Sequence, residues 1–202
     1  MKKLSLEFYR RNDVIQIAKE LRGKIVVTNV EGIITSGRIV ETEAYVAFVD
    51  KASHAYNGKR TLRNEAMYAS AGAVYVYICY GMHNMLNVVT NDLNIPDAIL
   101  IRALEPIKGI DDMLVRTGKK VFNNTLTKGP GNVAKAMGIT KTMSGLMLGN
   151  NQINIYDDQF LIPNNKIGIS RRIGIDGAGV DALLPYRFYI SGNEFVSGKP
   201  AK

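Results

Sequence analysis

Cysteine and histidine are nearly absent from this chain, which has one cysteine, Cys79, and two histidines, His54 and His83, among 202 residues. A lone thiol cannot close an intrachain disulfide, and three such residues in all argue against a Cys/His zinc site. The expected chemistry is therefore metal-free or served by oxygen-ligated ions only, and no cofactor is expected. Long apolar runs are also lacking. No stretch approaches the roughly 20 apolar residues of a membrane span, and the basic start, MKKLSLEFYRRND, has no apolar core behind it. A soluble, cytoplasmic protein without membrane attachment is the expectation. Acidic residues are in deficit, 18 against 26 Lys and Arg, which leaves a net charge of +8. That balance suits a polyanionic partner without requiring one. There are no internal repeats, low-complexity tracts or linker-like stretches, so residues 1–202 read as one domain. A short flexible tail is expected over about 193–202.

What is present reads as an α+β chain. Asn12 and Asp13 suit a helix start, Val14, Ile15, Ile17, Ala18 and Leu21 share one helical face, and Gly23 follows as a stop. Two β-rich runs, 24–30 and 33–46, flank Glu31-Gly32 at the spacing of a tight hairpin. Periodicity then fails from Ala47 to Arg63, a loop long enough to be functional or disordered. Thr61 with Asn64 reads as the opening of a short helix through Met67 to Ser70. AVYVYICYG reads as a strand, with Tyr75, Tyr77 and Cys79 on one face and Ile78 and Tyr80 on the other. Runs 85–90 and 98–104 are further strands, and Glu105-Pro106 reads as the start of a helix. Gly129-Pro130-Gly131 leads into another helix, whose N-terminus could receive an anion. Short strands are expected at 153–156, 167–175 and 186–190. The architecture predicted is a single domain with a curved, largely antiparallel sheet flanked by helices.

The stretch Gly37–Tyr45, GRIVETEAY, carries the most chemistry. Strand alternation places Ile39, Glu41, Glu43 and Tyr45 on one face, with Val40, Thr42, Ala44 and Val46 on the other, core-facing side. Singly, Glu43 reads as a solvated strand residue, the tyrosines as core or edge aromatics, and His54 as an exposed loop residue. Together they supply aromatic walls, a carboxylate and a basic surround. A nucleobase pocket needs these, because stacking gains roughly 1–3 kcal/mol per base whereas unstacking a base from a duplex costs a few.

The runs GRIVETEAY, KASHAYNGKRTLRNEAM, AVYVYICYGM with Asn87, and AILIRALEP occur in the order and spacing of the alkyladenine (3-methyladenine) DNA glycosylase family. LTKGPGNVAKAMGI, SRRIGI and PYRFYISG resemble its C-terminal part, so the resemblance spans roughly 21–192. It implies base-excision repair of damaged double-stranded DNA by a monomer, nucleoid-associated if the source is bacterial. Glu43 would be the general base that activates water, oriented by Arg102. Tyr45, His54 and Tyr77 would wall the flipped base, the His54 N–H would help read its edge, and Asn87 would exclude normal guanine. Tyr80 would be the wedge inserted into the duplex. Glu41 is read as structural. Arg63, Lys128, Arg171 and Arg172 are candidate contacts to the DNA backbone. With no lysine among the matched pocket positions, the resemblance implies a monofunctional enzyme that leaves an abasic site. The chain departs from the family pattern at Val46-Ala47-Phe48 and at His83-Asn84, where the loop and the surroundings of the wedge are expected to differ.

Two other functions fit some of these features. A nucleic-acid-binding module without catalysis would also carry aromatics and charge. A carbohydrate or nucleoside hydrolase could use Glu41 and Glu43, but glycosidases need their carboxylates on opposite sides of the scissile bond.

Overall fold

The computed structural model describes residues 1–198. Among these residues nine strands form one antiparallel sheet that does not close, with helices against it. In chain order they are β1 (Lys2–Lys3), α1 (Leu6–Arg10), α2 (Val14–Leu21), β2 (Ile25–Val30), β3 (Ile33–Tyr45), β4 (Val74–Cys79), β5 (His83–Thr90), β6 (Asp97–Lys108), α3 (Ile110–Thr117), α4 (Pro130–Ala136), β7 (Ile153–Asp157), β8 (Ile167–Ser170) and β9 (Arg187–Ile190). A 3-10 helix covers Glu65–Tyr68. The main strand order is β1-β7-β2-β3-β6-β5-β4, and β9 joins β3 to β8.

Local chemistry accounts for several boundaries. The Asp13 side chain accepts from the Gln16 N–H at 2.8 Å and caps α2, and Gly23 takes φ +83° just beyond its end. Glu31 and Gly32 both have positive φ, 54° and 82°, as a two-residue turn between twisted strands requires. The apolar face of α2 packs Val14, Ile17 and Leu21 into a core with Ile39, Ala44, Ile99, Ile101 and Leu104 of the sheet and Val133, Ala134 and Met137 of the α4 region. Among the described residues no helix is long and apolar enough to cross a membrane.

β3 positions the site. Its first half pairs with β2 and its second half, Glu41–Glu43, with β9, while β6 runs along its other edge. Register shifts on either side of Glu41 correct the simple alternation expected for this stretch. Ile39 joins the main core with Ala44, whereas Val40 packs with Ala103, Ile190 and Phe195 on the opposite side. Neither face is wet, for residues 39–44 are all buried.

Two further expectations are corrected. Glu105-Pro106 does not start a helix: β6 continues through Lys108, and α3 starts after Gly109, which sits at φ +76°. Pro106 is accommodated opposite Gly37, beside a register shift. Nor is 193–198 a loose tail. Phe195 is buried in the small core with Val40, its N–H donates to Asn193 Oδ1 at 3.0 Å, and Ser197 is buried beneath β3. The remaining tail residues, 199–202, lie outside the described residues.

Candidate active site

Two carboxylates lie fully buried at the centre of the sheet, and both share one arginine. Arg102, on β6, donates from Nε to Glu41 Oε1 at 3.1 Å and from Nη1 to Glu43 Oε2 at 3.2 Å. Glu43 also accepts from the Ile173 N–H at 2.8 Å and from the Tyr45 hydroxyl at 2.9 Å. Burial pushes the Glu43 pKa above its ordinary value, against the opposing pull of Arg102 and of these two donors. Burial would lower the Arg102 pKa, but Glu43 and Glu41 outweigh it and hold the guanidinium charged.

Glu41 is more fully engaged. It accepts from Arg102, from Arg187 Nε at 2.6 Å, and from the Ser197 N–H at 2.6 Å and Oγ at 2.9 Å. A carboxylate holding four donors is a structural anion. Glu41, Glu43, Arg102 and Arg187 thus form a balanced buried set of two anions and two cations.

Tyr45, whose hydroxyl donates to Glu43, borders a cleft of about 190 Å³, lined also by His54, Tyr75, Tyr77, Asn87 and Arg63 among others, with Glu43 itself behind the lining. That volume is below the roughly 300–1,000 Å³ of pockets for drug-sized ligands, so the cleft suits one small flat group. The three aromatic residues expected as walls therefore converge, together with Asn87. Asn87 is pinned by its Nδ2, which donates to Tyr75 O and Met85 O at 3.2 Å each. His54 meets Tyr77 edge-on with centroids 4.6 Å apart, and its Nδ1 lies 2.8 Å from the Tyr75 hydroxyl. Burial, with help from Arg63 and Lys59, lowers the His54 pKa to about 4. Burial pushes the Tyr77 phenol up to about 12, and the Tyr75 phenol up as well. At neutral pH the cleft lining then has an uncharged imidazole and protonated phenols. The long 47–63 loop delivers His54 and is tied down by Asn64, whose Nδ2 donates to His54 O and Lys59 O.

Tyr80 lies outside the cleft. It is 84% exposed at φ +50° in the β4–β5 turn, a left-handed conformation unusual for a bulky side chain. The His83 of this hairpin lies against α4, where a Cβ added to Gly131 would meet its ring at 3.0 Å. Phe48, in the other departing stretch, has φ +63° and bridges to Tyr56. Arg63 and Arg171 are exposed and Lys128 is half-buried, with its Nζ on Glu194 O at 3.2 Å.

Arg172 is a correction: with 4% exposure it cannot meet a DNA backbone. Both its Nη atoms donate to Asp50, with Nη2–Oδ1 at 2.9 Å, and its guanidinium lies 4.7 Å from the centre of the Tyr45 ring. It backs a cleft wall.

The sequence of GRIVETEAY and its companions is matched by a family model described as "Methylpurine-DNA glycosylase (MPG)" over residues 7–194. The chain belongs to the methylpurine-DNA glycosylase family. Relatives provisionally named 3-methyladenine DNA glycosylase include one from Clostridium perfringens (strain 13 / Type A), 41% identical over 98% of this chain and all of its own. One from Clostridium acetobutylicum is 44% identical over 96% of this chain and 97% of its own. One from Chlamydia abortus is 44% identical over 91% and 95%.

For this family member, the sequence reading missed several supports of the site. Tyr75 was read as a core or edge aromatic, yet it lines the cleft and holds His54. Arg187 sits in the short apolar strand RFYI, and an arginine there signals a buried anion partner. The Ile173 N–H and the Asp50–Arg172 pair left no signal, because a backbone donor and a pairing 122 residues apart have none.

Proposed function

We propose that this chain releases alkylated purines, 3-methyladenine among them, from double-stranded DNA by hydrolysing the N-glycosidic bond, and that Glu43 is the general base. The observation that carries the reading is a fully buried carboxylate with raised pKa at the edge of an aromatic cleft, hydrogen-bonded to the cleft wall Tyr45. A damaged nucleotide turns out of the duplex and its base enters between Tyr45, His54 and Tyr77, while Tyr80 fills the vacated space in the stack. Glu43 takes a proton from water as the water oxygen bonds to the anomeric carbon. The bond to the base breaks with its electron pair leaving on the purine, through an oxocarbenium-like state that the carboxylate stabilises.

Alkylation at N3 or N7 makes the purine cationic, so it departs neutral without an acid. An uncharged His54 offers that cation no repulsion. Asn87 narrows the cleft against normal guanine, and Arg63, Lys128 and Arg171 are the remaining backbone contacts. No lysine lines the cleft among the described residues, in keeping with hydrolysis to an abasic site without a Schiff base.

The test is chromatography of bases freed from duplexes that each carry one defined alkylated purine. Glu43→Gln should bind such a duplex as the parent does and release the base at least about 100-fold more slowly. Release at the parental rate would remove Glu43 from the mechanism, and a parent that binds but frees no base would be a binding module.

A further inference from the structure

The C-terminal segment Asn193–Ser197 runs out of the stretch the family model covers, and its Ser197, beyond residue 194, reaches the buried charge cluster. It is held firmly there. Asn193 Nδ2 donates to Glu105 Oε2 at 2.8 Å, Lys128 Nζ donates to Glu194 O at 3.2 Å, and Phe195 is buried against Val40 and Ala103. Ser197 then spends every polar group it has on the cluster. Its N–H and Oγ donate to the two oxygens of Glu41, and its carbonyl accepts from Arg187 Nη2. Its Oγ accepts from Arg102 Nη2 at 3.2 Å. A hydroxyl has one proton, so Oγ donates its hydrogen bond to Glu41 and accepts one from Arg102, and its orientation is determined.

Arg102 is consequently fixed at all three nitrogens, by Glu41, Glu43 and Ser197. We infer that Ser197 is a positioning residue for base release: it holds the Arg102 guanidinium midway between the two carboxylates, so that Glu43 keeps its share of that cation. Without Oγ, Glu41 loses a donor and Arg102 loses an acceptor, and both losses draw the guanidinium toward Glu41. Glu43 then holds its proton to higher pH, because the attraction opposing its burial has weakened. The inference rests on Glu43 being the base.

Single-turnover base release across pH tests this in Ser197→Ala, Ser197→Cys and Ser197→Thr. Ser197→Ala should be about tenfold slower at pH values on the acidic limb, the size of one charge-assisted hydrogen bond. The loss should come from an acidic limb displaced by about one pH unit, and the rate should recover in alkali. Ser197→Cys, with a weak donor, should move the limb part-way, and Ser197→Thr should restore it. Lesion-duplex affinity, measured with Glu43→Gln added, should not change. Val133→Ala, a core truncation away from the cluster, should lower stability and leave the limb in place. If Ser197→Ala does not fold, the displacement in Ser197→Cys decides. A limb that superimposes on the parent's in the Ala and Cys variants, or lost affinity in place of lost rate, overturns the role of Ser197. Undiminished release by Glu43→Gln would instead overturn the underlying mechanism.

Discussion

Breaking the Asp50–Arg172 pair should unfold the protein more readily, and repairing it with apolar residues should separate its structural role from its role at the cleft. The two side chains are 1% and 0% exposed, and Arg172 also donates to the Ala44 and Asp181 carbonyls at 2.9 and 3.1 Å. Asp50→Ala leaves that guanidinium buried and without its anion, a change that costs about 3–5 kcal/mol. For a domain of this length, at about 2–4 °C per kcal/mol, Tm should fall by about 6–20 °C. The double variant Asp50→Leu/Arg172→Met removes both charges and should recover most of the loss, since a buried pair replaced by packed apolar groups is often neutral. Urea titrations of the two single variants and the double variant provide the cycle. The repaired protein still lacks the cation 4.7 Å behind the Tyr45 ring, so its base release should remain slower than the parent's while its stability is near parental. An Asp50→Ala cost below about 1 kcal/mol, the range of exposed pairs, would refute the burial argument.

Two further outcomes follow from the site. Base release should fall as pH drops through the raised Glu43 pKa, with its acidic limb above the ordinary glutamate value of 4.5. The same shift acts on stability in the opposite sense: this group favours folding most below 4.5 and loses that contribution as pH rises through its folded-state pKa. An activity limb at or below 4.5 would contradict the assignment. Tyr80→Ala should leave Tm nearly unchanged, because the side chain is 84% exposed. It should weaken excision from duplex by about 5- to 150-fold, the equivalent of roughly 1–3 kcal/mol of stacking. Gel-shift and excision assays check it, and parental activity on duplex would count against the wedge.

Features governed by neighbouring residues were legible in the sequence. Asp13 capping α2, Glu31-Gly32 turning the first hairpin and alternation through β4 all depend on side chains a few positions apart. The family motifs also brought together Tyr45, His54, Tyr77 and Asn87, which line one cleft, and Glu43 and Arg102, which are joined to it through the Tyr45 hydroxyl. What stayed hidden was set at long range. Arg172 has the composition of a surface cluster, and only Asp50, 122 residues away, makes it internal. The bulged register at Glu41 answers to β6 and β9, and neither is visible within GRIVETEAY. Pro106 resembles a helix opener until Gly37 stands across from it. Ser197 looked frayed because its partners, Glu41 and Arg102, are 156 and 95 positions earlier.

The distribution of the charge cluster along the chain has a consequence for how the protein comes into being. Glu41 and Glu43 emerge from the ribosome long before Arg187 and Ser197 do, and Arg102 in between can neutralise only one of them. Until β9 docks on Glu41–Glu43, the centre of the sheet would enclose an excess anion, which opposes closure of that region. The long-range pairing that completes the sheet is therefore also the event that balances its buried charge.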